Sequence, residues 1–514
     1  MRYYNFHLSS ALGGFLRPAS FKEAMASVVR NIYWLYRELG LKSLRDTGPD
    51  GWLIILSRST RMLAYGTNSL ILALFFSALE FSDFHIGLFM TLTLLGDMLL
   101  SLFLTLVADR VGRRRVLFLG SFLMVLSGVA FAIFENFWIL LLAAVVGVIS
   151  ATGSDFGPFR AIEESTISHL TSPATRADVL AWYVTTASLG SAIGTEISGR
   201  VVDSLQKKPG WTLIDAYHGV FWIYTGTGAL NMVLTLFLSA KCESNVKEIP
   251  KTTEEADVLL NGSSAISQED ESEEPAPPRT EVSKTGSRRY FASISRETRS
   301  TMYKLWFLFI IDTLADGMVG YSLTVYYMDQ KFTLSKSTLG DITSISYFLS
   351  SCFTVAAGPL SRRLGLINTM VFTHIPSSAA VLLFPAPSGI FLTVALFFLR
   401  TSLNNMDQAP RAAFIAAVVK PEERTAVMGI TSTIKTLAAT AGPTITGVLA
   451  GNGQFWIAFV VAGALRICYD LGLFIMFINM KLYQHEDDDT GKEQGHRRAN
   501  SSSTELEECN LDVQ

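Results

Sequence analysis

Ala108-Asp109-Arg110-Val111-Gly112-Arg113-Arg114-Arg115 closes one long apolar run, and Ser361-Arg362-Arg363-Leu364-Gly365 closes another in the same manner. In each place a glycine stands 25 positions upstream of the turn glycine, Gly87 before Gly112 and Gly340 before Gly365. The match continues downstream. Asp155 falls on Asp407, Pro158-Phe159-Arg160 on Pro410-Arg411, Pro173-Ala174-Thr175-Arg176 on Pro421-Glu422-Glu423-Arg424, and Gly194 and Gly199 on Gly442 and Gly447. Type and order kept over so long a stretch mark a duplicated half-chain.

Composition says what was duplicated. The chain has 514 residues, 49% hydrophobic and 17% charged, with 34 Phe, against about 25% charged in soluble proteins. A helical span needs about 20 apolar residues, so 51–240 and 303–480 each have room for six. The runs predict spans near 53–79, 85–108, 116–134, 137–160, 178–200 and 215–240, then 303–328, 337–361, 366–386, 388–411, 424–450 and 454–480. The expected fold is an all-α membrane protein with twelve transmembrane helices in two six-helix bundles, related by a pseudo-twofold axis along the membrane normal.

Three polar segments flank these bundles. Residues 1–50 contain Phe21, Met25, Val28, Ile32 and Tyr36 at helical spacing beside Lys22 and Arg30, which suits a helix lying on the membrane as well as one packed on the bundle. Residues 241–302, rich in Glu, Ser and Pro, and 481–514 bury too little apolar surface to fold and read as a disordered linker and tail. Arg110, Arg113, Arg114, Arg115, Arg362 and Arg363 place these turns, both termini and the linker in the cytoplasm. The plasma membrane and a vacuolar or other endomembrane both fit. The sequons at Asn261 and Asn500 would then stay unglycosylated.

A net charge of −3 and the lack of any recognition module argue against nucleic acid. Cys242, Cys352, Cys468 and Cys509 are far apart, without metal or disulfide spacing, and no cofactor motif occurs. With no phosphate-binding loop, an ion gradient is the remaining energy source.

Asp109-Arg110-Val111-Gly112-Arg113-Arg114 resembles the loop motif GxxxD(R/K)xGR(R/K) of the major facilitator superfamily, with Thr105 in place of the first Gly. The resemblance covers about residues 51–480. Ala441-Gly442-Pro443 resembles the antiporter GP motif, which in that family belongs to the fifth span; there this chain has Thr195 where Pro would stand. The resemblance implies transport by alternating access, a small-molecule substrate, a proton or other coupling ion, a lipid bilayer and a monomer, but no enzymatic activity. It leaves drug or toxin efflux and sugar or organic-acid uptake open.

Charges inside spans are costly in hydrocarbon, so each is a candidate site residue. In the family spans one, four, seven and ten line the cavity; here they supply Arg58 and Arg61, Asp155 and Arg160, Asp312 and Asp316, and Arg400, Asn404, Asp407 and Arg411. The last four share one helical stripe. The resemblance implies a gating latch from Asp109, Arg110, Gly112, Arg113 and Arg114, with the arginines meeting Glu163 or Glu164. It also implies a switchable pair between Asp97 and Lys435 on spans two and eleven. Arg466 and Asp470, four apart, read as a local pair, and His374 as a structural histidine rather than a proton relay. A different class, a non-transporting membrane sensor or scaffold signalling through the linker and tail, also fits the sequence.

Overall fold

The computed structural model describes residues 36, 40–147, 149, 158–243, 296–419 and 424–477. Among them the regular structure is helical. After a short α1 (Leu41–Asp46), the first half runs α2 (Pro49–Ala78), α3 (Asp83–Val111), α4 (Arg113–Ile133), α5 (Phe137–Val146), α6 (Pro158–Leu170), α7 (Pro173–Gln206) and α8 (Leu213–Leu236). The second half runs α9 (Arg296–Met318), α10 (Tyr321–Phe332), α11 (Lys336–Leu364), α12 (Leu366–Leu383), α13 (Ile390–Asn404), α14 (Gln408–Val418), α15 (Arg424–Gly451) and α16 (Phe455–Phe477). Six passes in each half are consistent with this order if α5 with α6, α9 with α10, and α13 with α14 are each taken as one span in two pieces. Among the described helices α3, α4, α8, α12 and α16 are long and apolar enough to cross a membrane alone, and α9 with α10 qualifies as one bent span.

The halves repeat each other's packing. Helix α2 packs on α7 as α9 packs on α15, and α8 lies on α4 and α2 as α16 lies on α12 and α9. Across the seam, α7 meets α11 as α15 meets α3. The repeated glycines sit at these two crossings. A Cβ on Gly87 would come within 2.3 Å of the Pro443 carbonyl oxygen and 3.0 Å of the Gly447 Cα; one on Gly340 would come within 2.9 Å of the Thr195 oxygen and 3.3 Å of the Gly199 Cα. Backbones this close admit no side chain.

Helix α3 is 29 residues long, so its ends lie about 40 Å apart, and the seam is tied at the end remote from Arg113. There the Tyr326 hydroxyl donates to Asp83 at 2.6 Å, the Lys336 and Ser337 amides donate to Asp203, and Arg200 pairs with Asp341 at 3.1 Å. Further in, Thr91 donates to the Thr440 carbonyl at 2.8 Å.

Three expected spans differ from continuous helices. In the fourth, α5 ends at Val146 and residues 150–157 lie outside the described residues; the tenth stops at Asn404 and resumes at Gln408, and the seventh bends by 43° between Met318 and Tyr321. Pro410 lies in the first turn of α14, where a missing amide breaks no intrahelical bond. The linker, the tail, the surface segment before residue 36 and Asp155 lie outside the described residues.

Candidate functional site

In the first half the in-span charges form one closed cluster. Arg61 of α2 grips Glu163 of α6 through two hydrogen bonds of 2.7 and 2.6 Å. The same carboxylate accepts from the Tyr183 hydroxyl at 2.8 Å, and that hydroxyl accepts from Arg58 at 2.7 Å. Glu163 is thus taken by Arg61 and Arg58 rather than by the turn arginines, because α6 turns its buried face toward α2. Glu164 is taken by Arg160, one helical turn away at 2.7 Å. The amides of Arg113 and Arg114 donate instead to Glu243, at 2.7 and 3.4 Å, satisfying the open N-terminus of α4 beside Gly112. The side chains of Asp109 and Arg110 lie outside the described residues.

The second half holds a larger buried network. Asp312 of α9, fully buried, pairs with Arg411 of α14 at 3.0 Å, and Arg411 also grips Asp407. Arg466 of α16 pairs with Asp316 at 2.9 Å and donates to Asn404 and toward His374 Nε2, the last at 2.8 Å. His374 Nδ1 lies 2.7 Å from Asp470, which also accepts from Ser378 at 2.9 Å, and His374 Nε2 stands 3.7 Å from Asp312. Arg466 and Asp470 are therefore joined through His374 and not to each other. Both turn toward α12, whose histidine reaches between them.

The break at residues 405–407 also divides the expected stripe. Asp407 and Arg411 remain one turn apart and pair, Asn404 faces α16, and Arg400 reaches the bend of the seventh span. Asp97 and Lys435, on helices that face each other across the seam, are not paired. Asp97 is buried with its Oδ1 lacking a hydrogen-bond partner, and the Lys435 ammonium stands 5.4 Å from the Phe309 ring centre.

Chemically, the second-half network joins carboxylates, a histidine and arginines drawn from α9, α12, α13, α14 and α16, and its ion pairs cross helices and helix breaks. Buried pairs are held by a balance between desolvation and attraction, so moving α14 or α16 relative to α9 redistributes partners. The sequence missed the bridging role of His374, and the only trace of it was a histidine in an apolar span. Glu243 and Asp203 carried no signal, since each sits in a polar stretch beside its span.

A sequence profile described as Major Facilitator Superfamily matches residues 54–294 and 305–505. An uncharacterized membrane protein of Saccharomyces cerevisiae, YJR124C, is 33% identical over 425 residues, covering 82% of this chain and 92% of its own. Among solved structures, the nucleoside transporter NupG superposes with a TM-score of 0.60 at 13% identity, covering 84% of this chain and all (100%) of its own. The E. coli xylose transporter XylE in an inward-open conformation gives 0.60 at 12%, covering 84% and 98%. The human organic anion transporter MFSD10 gives 0.51 at 16%, covering 83% and 100%.

Proposed function

The chain belongs to the major facilitator superfamily, and from that premise we propose that it is a secondary active transporter of a small organic solute, driven by protons, in which two six-helix halves rock about the seam between them. The observation that carries this reading is the buried network at the broken seventh and tenth spans. Interrupted helices beside charged groups at mid-depth are how transporters of this architecture build a site. Among the described residues the polar ties across the seam gather at the end of Asp83, Asp203 and Asp341, which suits a state open toward the Arg113 turn. With the positive-inside rule placing that turn in the cytoplasm, the state is inward-open.

Proton coupling rests on Asp312, Asp316, Asp407 and His374. A carboxylate held between an arginine and a histidine exchanges partners when a proton arrives, and Arg411, shared by Asp312 and Asp407, is placed to move between them. The Arg61 to Glu163 cluster anchors the other half. Residues 1–50, 241–302 and 481–514 are assigned to cytoplasmic segments around the bundles, and the chain to a monomer in the plasma membrane or an endomembrane.

Reconstitution tests the reading. In proteoliposomes an inward pH gradient should drive solute accumulation, and Asp312→Asn should uncouple it. Flux indifferent to the gradient and to that substitution would remove proton coupling. Deleting residues 250–295 should leave flux intact; a sensor or scaffold would carry no flux at all.

A further inference from the structure

The bend of the seventh span leaves the Val319 carbonyl at the end of α9, and Arg400 of α13 meets it. The guanidinium donates to that carbonyl and to Thr324 Oγ1, the latter at 2.9 Å. Both acceptors are neutral. The other arginines that are buried among the described residues with ion pairs, Arg58, Arg61, Arg411 and Arg466, each have a carboxylate oxygen within 3.9 Å; Arg400 is 7% exposed and has no ion pair. A guanidinium carries five N–H donors, so three remain beyond those two bonds. The carbonyl end of α9 offsets about half of a charge, and the rest of the positive charge stands uncompensated.

Two tyrosines flank this charge. Tyr321, at the start of α10 and partly exposed, has its ring centre 6.0 Å from that of Phe397, which stands three residues before Arg400 on α13, and stacks on Tyr347 of α11 with ring centres 4.6 Å apart and planes 10° from parallel. Tyr347 is 8% exposed, yet its hydroxyl has no hydrogen-bond partner. Helix α11, which carries it, packs on α7 and touches α2, so the group sits on the seam between the halves.

We propose that Arg400, Tyr321 and Tyr347 form the solute subsite and that the solute is a monocarboxylic acid with a planar, ring-bearing body. A guanidinium with no carboxylate partner calls for a single negative charge, and its flat edge fits the two oxygens of a carboxylate. A phosphate dianion would leave excess negative charge near Asp316. The ring packs against Tyr321, since aromatic faces favour offset stacking, and the Tyr347 hydroxyl supplies a donor to the ligand's polar edge. The inference rests on the transport reading only for what happens to the ligand after it binds.

The test uses the full chain, purified in lipid nanodiscs, with benzoate, benzamide, acetate and phenylphosphonate as probes. Benzoate should raise the unfolding temperature, whereas the uncharged benzamide should not, and acetate and phenylphosphonate should bind more weakly. Arg400→Gln should weaken benzoate about tenfold or more, as loss of charge-assisted hydrogen bonds does; Arg400→Lys should retain part of the effect, and Arg45→Gln on α1 all of it. Tyr321→Leu, at a partly exposed position, should weaken benzoate more than acetate. Equal stabilisation by benzamide, or unchanged benzoate affinity in the folded Arg400 and Tyr321 variants, would overturn the subsite. Gradient-driven flux of another solute without benzoate binding sinks the subsite and leaves transport standing. Benzoate binding without any flux does the reverse.

Discussion

The carboxylate of Asp203, near the end of α7, caps a helix of the other half: it accepts the backbone amide of Lys336 at 3.2 Å and that of Ser337 at 3.0 Å. A cap that crosses the seam stabilises both the helix and the closed end. Asp203→Ala should cost about 1 kcal/mol, equivalent to a roughly fivefold loosening of that end. Asp203→Asn, which caps nearly as well, should change little. Hydrogen exchange at residues 336–341 reads this directly, and protection that is equal in the alanine variant and the wild type would contradict it.

Glu163 is shared by Arg61, Arg58 and Tyr183, all buried. Removing it takes a buried carboxylate from two buried guanidinium groups, so Glu163→Ala should destabilise by about 3–5 kcal/mol. Tyr183→Phe, which removes one hydroxyl and keeps the ion pair, should cost about 1 kcal/mol. Denaturation in detergent compares them; a Glu163→Ala cost no larger than that of Tyr183→Phe would show that the cluster is not held together by its charge.

How far these relationships could be seen in the sequence depends on range. Gly87, Gly340, Gly199 and Gly447 were legible because a duplication writes the same spacing twice, and the crossings they permit are the ones observed. Arg58, Arg61, Asp312 and Arg400 stood out as charges in apolar runs. Their partners did not, because Arg61 meets Glu163 across 102 positions and only helix packing decides which face turns inward. Arg466 and Asp470 misled for the same reason: spacing of four favours a local pair, while their rotation toward α12 hands both to His374. Pro158 and Pro410 hinted at breaks in the fourth and tenth spans. The bend at Gly320 had no comparable signal.

Gly194 and Gly226 make a matched pair for testing close packing. A Cβ on Gly194 would lie 2.0 Å from the Leu63 carbonyl oxygen, whereas one on Gly226 would meet nothing within 4 Å. Gly194→Ala must push α7 off α2, and a cost of about 1–3 kcal/mol is expected for such overpacking. Gly226→Ala, inside α8, should be neutral or stabilise by about 0.5–1 kcal/mol through its better helix propensity. Melting curves of the two variants that moved together would refute the close contact.

Asp97 and Lys435 supply the sharpest test of rocking. They lie on α3 and α15, which face each other across the seam, and no ion pair joins them here, although Asp97 is buried with an unpartnered oxygen. If the pair forms only when the Arg113 end closes, neutralising either residue breaks no bond in the present state. Asp97→Asn removes a buried charge that has no ion-pair partner here and should not lower the stability of this state, yet it and Lys435→Gln should each slow transport by weakening the opposite state. Exchanging the charges, Asp97→Lys with Lys435→Asp, should recover flux beyond either single variant. A double variant slower than both single ones, or single variants that transport normally, would mean that the two charges never meet during the cycle.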